Sequence, residues 1–453
     1  MIGRPLSEIA TAVGGRLVGA DAFASSVATD SRRVRGGALF VALRGEHSDG
    51  HEFVADAFAR GASGALVERS VARGPVVEVA DAGRGLLSLA TDERRRMTET
   101  TIVGVTGANG KTSTKDLAAA VLGTRFRTHA SPASFNNEIG LPMTLLGVEP
   151  GTEVVVAELG ARREGDVATL CEVAQPRVVV VTNVGLAHLE IFGSWDAIVR
   201  AGAEPLRGLG PDGLAILNAD DPVVRGYGAE TGARVVTFGV ESDADVHASE
   251  VALGDDGRAT FTIEAAGDRE RVELVVPGEH MVANALAAAA CGIQFGLSAA
   301  ECAAALKGAK VAPWRMETFT TDGGVIVVND AYNANPESMA AGLKTARWIA
   351  RRGRLGAVLG HMAELGAVSF EEHERLGELV VRIGVDRLIT VGEPARAIAR
   401  AAIREGQLPD HVASFDDPAV AAEDVRGWGR EGDVVLIKGS RVAGLERVAE
   451  ALR

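Results

Sequence analysis

A set of short β-branched runs, each stopping abruptly on a glycine or a polar residue, constrains the fold more than anything else in the chain. TIVGVTG (101–107), EVVVAELG (153–160), RVVVVTNVG (177–185), GVIVVND (324–330) and DVVLIKGS (433–440) all have this form. Consecutive apolar residues mark strands buried on both faces, which occur in parallel sheets covered by helices. Ala/Leu-rich stretches between the runs supply those helices, so the chain is expected to be an α/β protein with mainly parallel sheets. Ligands of such sheets gather at the carboxyl ends of strands, which is where the polar residues fall.

At 453 residues the chain has room for two to four domains. Two seams suggest three. The charged segment TDERRRMTET (91–100) precedes the strand at Ile102, and KVAPWRMET (310–318), with Pro313, follows a long helical region. The expected domains are 1–98, a small α/β unit; 99–313, a central nucleotide-binding unit; and 314–453. GDDG and AGD within Ala248 to Val276 suggest antiparallel hairpins appended to the central unit.

Met281 to Ala300 is uncharged and 20 residues long, the length of a membrane span. It is mostly alanine and contains Asn284 and Gln294, so a buried helix between layers is expected instead. The start, with Glu8 and no long apolar core, does not read as a secretory signal or an anchor. Cys171, Cys291 and Cys302 show no metal or disulfide spacing, which fits a reduced, cytoplasmic setting. The formal charge of −14 argues against nucleic acid and anionic membrane partners. Anionic ligands must then be held by local groups.

One such group follows the first strong strand. Thr106, Gly107, Asn109, Gly110, Lys111, Thr112 and Ser113 lie where a strand turns into the helix STKDLAAAVLG. Glycines allow a tight turn with several N–H groups pointing at phosphate oxygens, and the helix N-terminus adds positive field. Lys111 would reach the terminal phosphates, and the Thr112 hydroxyl would ligate magnesium. A strict Walker pattern has glycine where this chain has Val105, so the spacing departs while the Gly-Lys-Thr chemistry is kept. ATP or GTP with magnesium is expected. Magnesium prefers oxygen ligands, and Glu158, at the end of VVVAE, reads as a carboxylate facing the loop, the alternative being a solvated strand-end residue. His188, just past VVVVTN, is either a third group at this edge or an exposed loop histidine.

Motifs along essentially the whole chain resemble those of the Mur ligase family, ATP-dependent amide-forming enzymes of peptidoglycan precursor synthesis. They are ATDSRRV and LFVALRGEHSDGHEF; GVTGANGKTSTKD, SFNNEIGLPMTLL, AELGA, NVGLAHLEIFGS and LNADDP; then GEHMVANALAAAA, VVNDAYNANPESM, LGHMAELG and IKGSRVAGLERV. SFNNEIGLP and DAYNANPESM favour the member that adds D-alanyl-D-alanine. The resemblance implies an N-terminal domain gripping a uridine nucleotide, a central ATPase, and a Rossmann-like C-terminal domain that closes over ATP. The implied reaction phosphorylates the carboxylate of UDP-N-acetylmuramoyl-tripeptide, and the dipeptide amine then displaces phosphate.

The resemblance also assigns residues. Lys111, Glu158 and His188 become catalytic, and Thr112, Glu158 and His188 hold magnesium. Asn284, beside His280, contacts adenine; Arg315 lies near the phosphates and Asp330 holds the ribose. Ser31, Arg32, Asp49 and His51 match the uridine-diphosphate pocket, and Ser134, Asn136 and Asn137 match muramoyl-peptide contacts. Asn333 and Asn335 belong to the closing surface, although alone they read as a polar turn before Pro336. Lys438 and Arg441 are candidates for the dipeptide carboxylate or the phosphates. A monomer is expected.

Three positions depart from the family pattern. Gly202 stands where a carbamylated lysine usually holds a second magnesium, leaving water or another carboxylate such as Glu204 to substitute. Met281 replaces a common asparagine. His361 replaces a common acid, and reads as a surface histidine or as a pH-sensitive group on the dipeptide side. A relative with another acceptor, or a precursor-binding protein with weakened turnover, are the alternatives.

Overall fold

The computed structural model describes every residue except 2, 46–47, 70–73 and 352. Glu46 and His47 of the N-terminal motif therefore lie outside the described residues. The apolar runs form three separate sheets, each covered by helices. The N-terminal sheet has five strands in the order Arg16–Val18, Val76–Glu78, Gly64–Val67, Ala38–Val41, Ser26–Ala28, the first pair antiparallel and the others parallel. The C-terminal sheet has six, in the order Glu317–Thr320, Ile326–Asp330, Val434–Lys438, Leu355–Gly360, Arg387–Val391, Val412–Phe415, again with only the first pair antiparallel.

The central sheet has nine strands. Its parallel part runs Arg234–Gly239, Leu214–Asn218, Val178–Val181, Thr101–Thr106, Val154–Glu158, Thr128–Ala130. The expected hairpins extend this sheet as Val246–Leu253, Arg258–Ala265 and Asp268–Pro277, antiparallel to one another. Within it, Thr101–Thr106 lies between Val154–Glu158 and Val178–Val181, with Val105 paired to both Glu158 and Val180. Parallel pairing in this register brings three carboxyl ends to one edge, and the chemistry collects there.

Most of the uncharged stretch becomes the helix His280–Gln294, whose alanines from Ala285 to Ala290 are fully buried against the phosphate-loop helix Lys111–Leu122 and the sheet. Alanine permits that close packing because it keeps helix propensity while adding little bulk. No described helix is long and apolar enough to cross a membrane. All three cysteines are buried and unpaired, and burial pushes the Cys171 and Cys291 thiols up to about 12.

The C-terminal domain touches the central one away from the cleft as well. Trp348, on the helix Pro336–Ala350, donates its indole N–H to Gly254 O at 2.9 Å, and Arg351 pairs with Asp255. Both partners lie in the turn of the first hairpin. The appended hairpins thus serve as a second footing for the last domain.

Phe261, on the middle hairpin strand, is buried in the cluster that also contains Met281 and the alanines of His280–Gln294. Phe261→Ala is expected to lower unfolding free energy by about 3–5 kcal/mol through the cavity it leaves. Urea denaturation with an unchanged slope would show this, and a loss below about 1 kcal/mol would mean the cluster is looser than it looks.

Candidate active site

The turn after Thr106 is built with almost no free space. Gly107 has φ +132°, and a β-carbon there would sit 2.1 Å from Thr182 Oγ1. Gly110 has φ +79°, and a β-carbon there would meet Asn284 Oδ1 at 2.3 Å. Only glycine suits either place. The next strand end locks the turn from below: Asn183 Oδ1 accepts from Asn109 N–H at 2.8 Å, and Thr182 Oγ1 donates to Asn109 O at 2.6 Å. Lys111 folds back over the turn, its Nζ donating to Gly107 O at 2.7 Å and Ala108 O at 3.1 Å. Burial pushes the Lys111 amine below its usual pKa, with Glu158 opposing that shift and Arg315 adding to it.

Glu158 is 1% exposed, so it is not a solvated strand-end residue. Its Oε2 accepts from the Thr112 hydroxyl at 2.9 Å, and its Oε1 from Asn136 Nδ2 at 2.8 Å. Asn136 is carried on a loop held from beneath by Lys115, which is buried and donates to Ser131 O at 2.7 Å and Ala133 O at 2.9 Å. Asn137 accepts from Gly140 N–H at 2.9 Å and thereby starts the helix Gly140–Leu146. Ser134, Asn136 and Asn137 line the same cleft as Lys111, Thr112 and Ser113. Thr106 and Gly107 lie outside its lining.

The C-terminal domain supplies the opposite wall. Arg315 donates to the Thr112 hydroxyl at 3.0 Å and lies over the Tyr332 ring at 4.0 Å, and its buried Nε has no partner among the described residues. Asn335 caps the helix Pro336–Ala350 and reaches across to Asn109, its Nδ2 donating to Oδ1 at 2.8 Å. Asp330 is paired with Lys438, whose Nζ also donates to Asn333 O at 3.1 Å. Arg441 stacks on Trp314 at 4.5 Å. The result is a cleft of about 1100 Å³ whose lining carries six Lys/Arg and six Asp/Glu side chains, far from the acid excess of the whole chain.

Several expectations change. Lys438 is buried and already paired within its own domain, so it orders the turn 330–333 rather than standing free for a dipeptide. His51 is buried too, with Nδ1 on Asp49 at 2.6 Å and Nε2 accepting from Glu68 N–H at 2.9 Å. Both ring nitrogens are committed, so His51 supports its loop and offers no ring atom to a nucleotide. Ser31 is buried, while Arg32 is exposed and forked onto Asp30; neither borders the cleft. Glu204 cannot stand in for the lysine missing at 202. Its carboxylate caps the helix Asp166–Ala174, accepting from Gly165 N–H at 2.6 Å and Ala168 N–H at 3.0 Å. A β-carbon on Gly202 would meet Tyr227 Oη at 2.4 Å, so no side chain fits in this packing. Asn284 is turned to the loop, accepting from Thr114 Oγ1 at 3.3 Å and donating to Met281 Sδ at 3.4 Å. His361 is half-buried outside the cleft lining, where burial and nearby His373 push its pKa down.

His188 lines the cleft with φ +59°, and its Nδ1 meets Glu364 of the C-terminal domain. Burial lowers the His188 pKa against the opposing pull of Glu364. Glu364 and its second partner, Arg162, were not expected from the sequence. The signal was present, since Glu364 follows the carboxyl end of Leu355–Gly360, but nothing in the sequence names its partners. Among the described residues, no group of three His, Cys, Asp or Glu is clustered as a metal site.

Fold and site together define a nucleotide-dependent enzyme of the phosphate-loop α/β class. Residues 24–85 match the Mur ligase family catalytic domain, residues 105–292 the Mur ligase middle domain, and residues 314–441 the Mur ligase glutamate ligase domain. A UDP-N-acetylmuramoyl-tripeptide–D-alanyl-D-alanine ligase of Mycobacterium tuberculosis (strain H37Rv) is 40% identical over 499 aligned positions, covering 100% of this chain and 98% of that one. The crystal structure of MurF from Acinetobacter baumannii superposes with a TM-score of 0.88 at 30% identity, covering 100% and 99% of the two chains. MurF ligase from Thermotoga maritima in complex with ADP gives 0.81 at 29% identity, covering 94% and 96%. The chain belongs to the Mur ligase family.

His373 anchors the loop that carries Glu364. It is 1% exposed, its Nε2 accepts from Met362 N–H at 2.9 Å and its Nδ1 donates to Ser369 O at 2.6 Å. Burial depresses its pKa below the usual 6.5. Between the folded and unfolded values only the unfolded chain binds the proton, so the contribution is complete above about pH 6.5 and falls as pH is lowered through that window. Unfolding free energy measured from pH 7.5 to 5 should decline, and His373→Gln should flatten the decline. A profile identical in the variant would contradict this role.

Proposed function

We propose that the protein is an ATP-dependent amide ligase that joins D-alanyl-D-alanine to UDP-N-acetylmuramoyl-tripeptide through an acyl phosphate, in peptidoglycan precursor synthesis in the cytoplasm. The observation that carries this reading is one cleft holding a phosphate loop, the Thr112–Glu158 pair and the C-terminal groups Arg315 and Asn335. The full-length similarity to ligases of that name supports the choice of substrates, and the relative solved with ADP supports ATP. We take the domains as 1–98 for the uridine nucleotide, with Ser31, Arg32 and Asp49 toward it; 99–313 for ATP; and 314–453 for the dipeptide and closure. The protein is read as a monomer.

A carboxylate is a poor acyl donor because its oxygen would have to leave as oxide. One carboxylate oxygen therefore attacks the γ-phosphorus of ATP, and ADP departs. The dipeptide amine adds to the acyl phosphate and loses a proton, and inorganic phosphate leaves with the original carboxylate oxygen. Two anions must meet for the first step, so positioning and charge do most of the work. The amides around Asn109 and Gly110 and the Lys111 ammonium face the terminal phosphates, while Arg315 closes on them from the other domain. Asn136 and Asn137 hold the muramoyl peptide on the wall next to Glu158. Arg441, on the far wall, meets the dipeptide carboxylate. Asn284, Asp330, Asn333 and Asn335 shape the nucleoside side.

Magnesium fits the residues present. The Thr112 hydroxyl and the Glu158 oxygen stand 2.9 Å apart, about the edge of an octahedral oxygen shell with radius near 2.1 Å. They would hold the ion, with His188 completing the site directly or through water. When bound, it would offset charge on the phosphate oxygens.

Gly202 and its packing favour a second reading, a precursor-binding relative with weak turnover. Phosphate release with the tripeptide precursor and D-alanyl-D-alanine, each omitted in turn, separates the two. The ligase reading requires release that depends on both. Lys111→Ala should lower phosphate release by about 10³-fold while leaving precursor affinity nearly intact. Equal loss of both would place the precursor and the triphosphate in one pocket and contradict the assignment.

A further inference from the structure

One contact between the central and C-terminal domains joins Glu364 to His188 and Arg162. Glu364 lies just beyond the strand Leu355–Gly360, yet the central domain takes both of its carboxylate oxygens. Oε2 meets His188 Nδ1, and Oε1 accepts from Arg162 Nη2. The backbone is fixed at the same spot, where Glu364 O accepts from Glu190 N–H at 3.0 Å. Glu364 has φ +60° and His188 φ +59°. Residues with side chains keep such conformations only where their surroundings over-determine them, and these cluster at functional sites.

We infer that Glu364 is a positioning residue for His188, holding its imidazole in the tautomer that presents an unprotonated Nε2 to the cleft only when the C-terminal domain is docked. The inference rests on the ligase reading, in which His188 serves the magnesium site. A neutral imidazole has one N–H. If Nδ1 carries it and gives it to a carboxylate, Nε2 keeps the lone pair, the arrangement found where histidines serve metals. Arg162 grips the second oxygen, so the carboxylate cannot rotate away. Because donor and acceptor come from different domains, the ligating form of His188 is completed by closure. Before closure, Thr112 and Glu158 hold the metal without it. Premature phosphoryl transfer in the open enzyme is thereby disfavoured.

The test uses the full-length protein with Mn2+ as probe. Mn2+ binding in the presence of saturating ADP is followed by electron paramagnetic resonance, and the His188 ring is followed by 15N resonances. Glu364→Gln should weaken Mn2+ binding about tenfold and move the His188 signals toward mixed tautomers, with ADP affinity in metal-free buffer and the thermal midpoint unchanged. Glu364→Asp, which keeps the charge and shortens the reach, should recover part of the loss. Unchanged Mn2+ affinity in both variants would overturn the inference. So would an equal loss of ADP affinity without metal, since Glu364 would then only tie the domains together. A parent protein that binds no Mn2+ with ADP, under conditions where it also releases no phosphate, would bring down the nucleotide reading and this one with it.

Discussion

The turn between Thr106 and Lys111 leaves no room for a side chain at Gly107 or Gly110, and the rest of the site is arranged around that constraint. A β-carbon at Gly107 or Gly110 would collide with Thr182 or Asn284, so the turn can only be made where the strand end 182–183 and the helix His280–Gln294 already press against it. That pressure fixes the loop amides in space without a ligand. It also sets the register in which Glu158 arrives beside Thr112. The phosphate site is thus a product of how the central sheet is packed, and any loosening of that packing would be felt as lost positioning.

The second demand is that the reaction brings like charges together. A chain with a formal charge of −14 would repel a triphosphate and a carboxylate if its acids faced them. In the cleft most of those acids are already occupied. Glu158 is held by Thr112 and Asn136, Asp330 by Lys438, and Glu364 by His188 and Arg162. Lys111 is folded onto the carbonyls of the turn, and Arg315 onto the Thr112 hydroxyl. Much of this balance exists only with the domains in contact, because Arg315 and Asn335 come from beyond the seam near residue 313. Catalysis and domain docking therefore share their interactions.

The sequence made the local features legible, and the contacts across domains were not. Thr101–Thr106, its glycine turn and its helix were readable because a buried strand and a helix N-terminus each leave a composition pattern of a few residues. Glu158 was readable because four apolar residues precede it. Glu364 was not, since its partner His188 lies 176 positions away and no periodicity links them. His51 and Glu204 were misjudged for a common reason: each is a polar residue in a plausible place, and only the structure shows that a backbone amide has already claimed it. Met281, where an asparagine is common in the family, makes a contact of its own, its sulfur receiving the Asn284 amide.

The account stands on the claim that ATP makes a substrate carboxylate reactive by phosphorylating it in this cleft. The most direct measurement places 18O in the terminal carboxylate of the muramoyl tripeptide and follows the label by mass spectrometry during amide formation with D-alanyl-D-alanine. The account predicts that each inorganic phosphate released carries one 18O taken from the substrate. Phosphate free of label while the amide forms, with the lost carboxylate oxygen found in water instead, would contradict it, because the phosphorus would then have been attacked by water and not by the carboxylate.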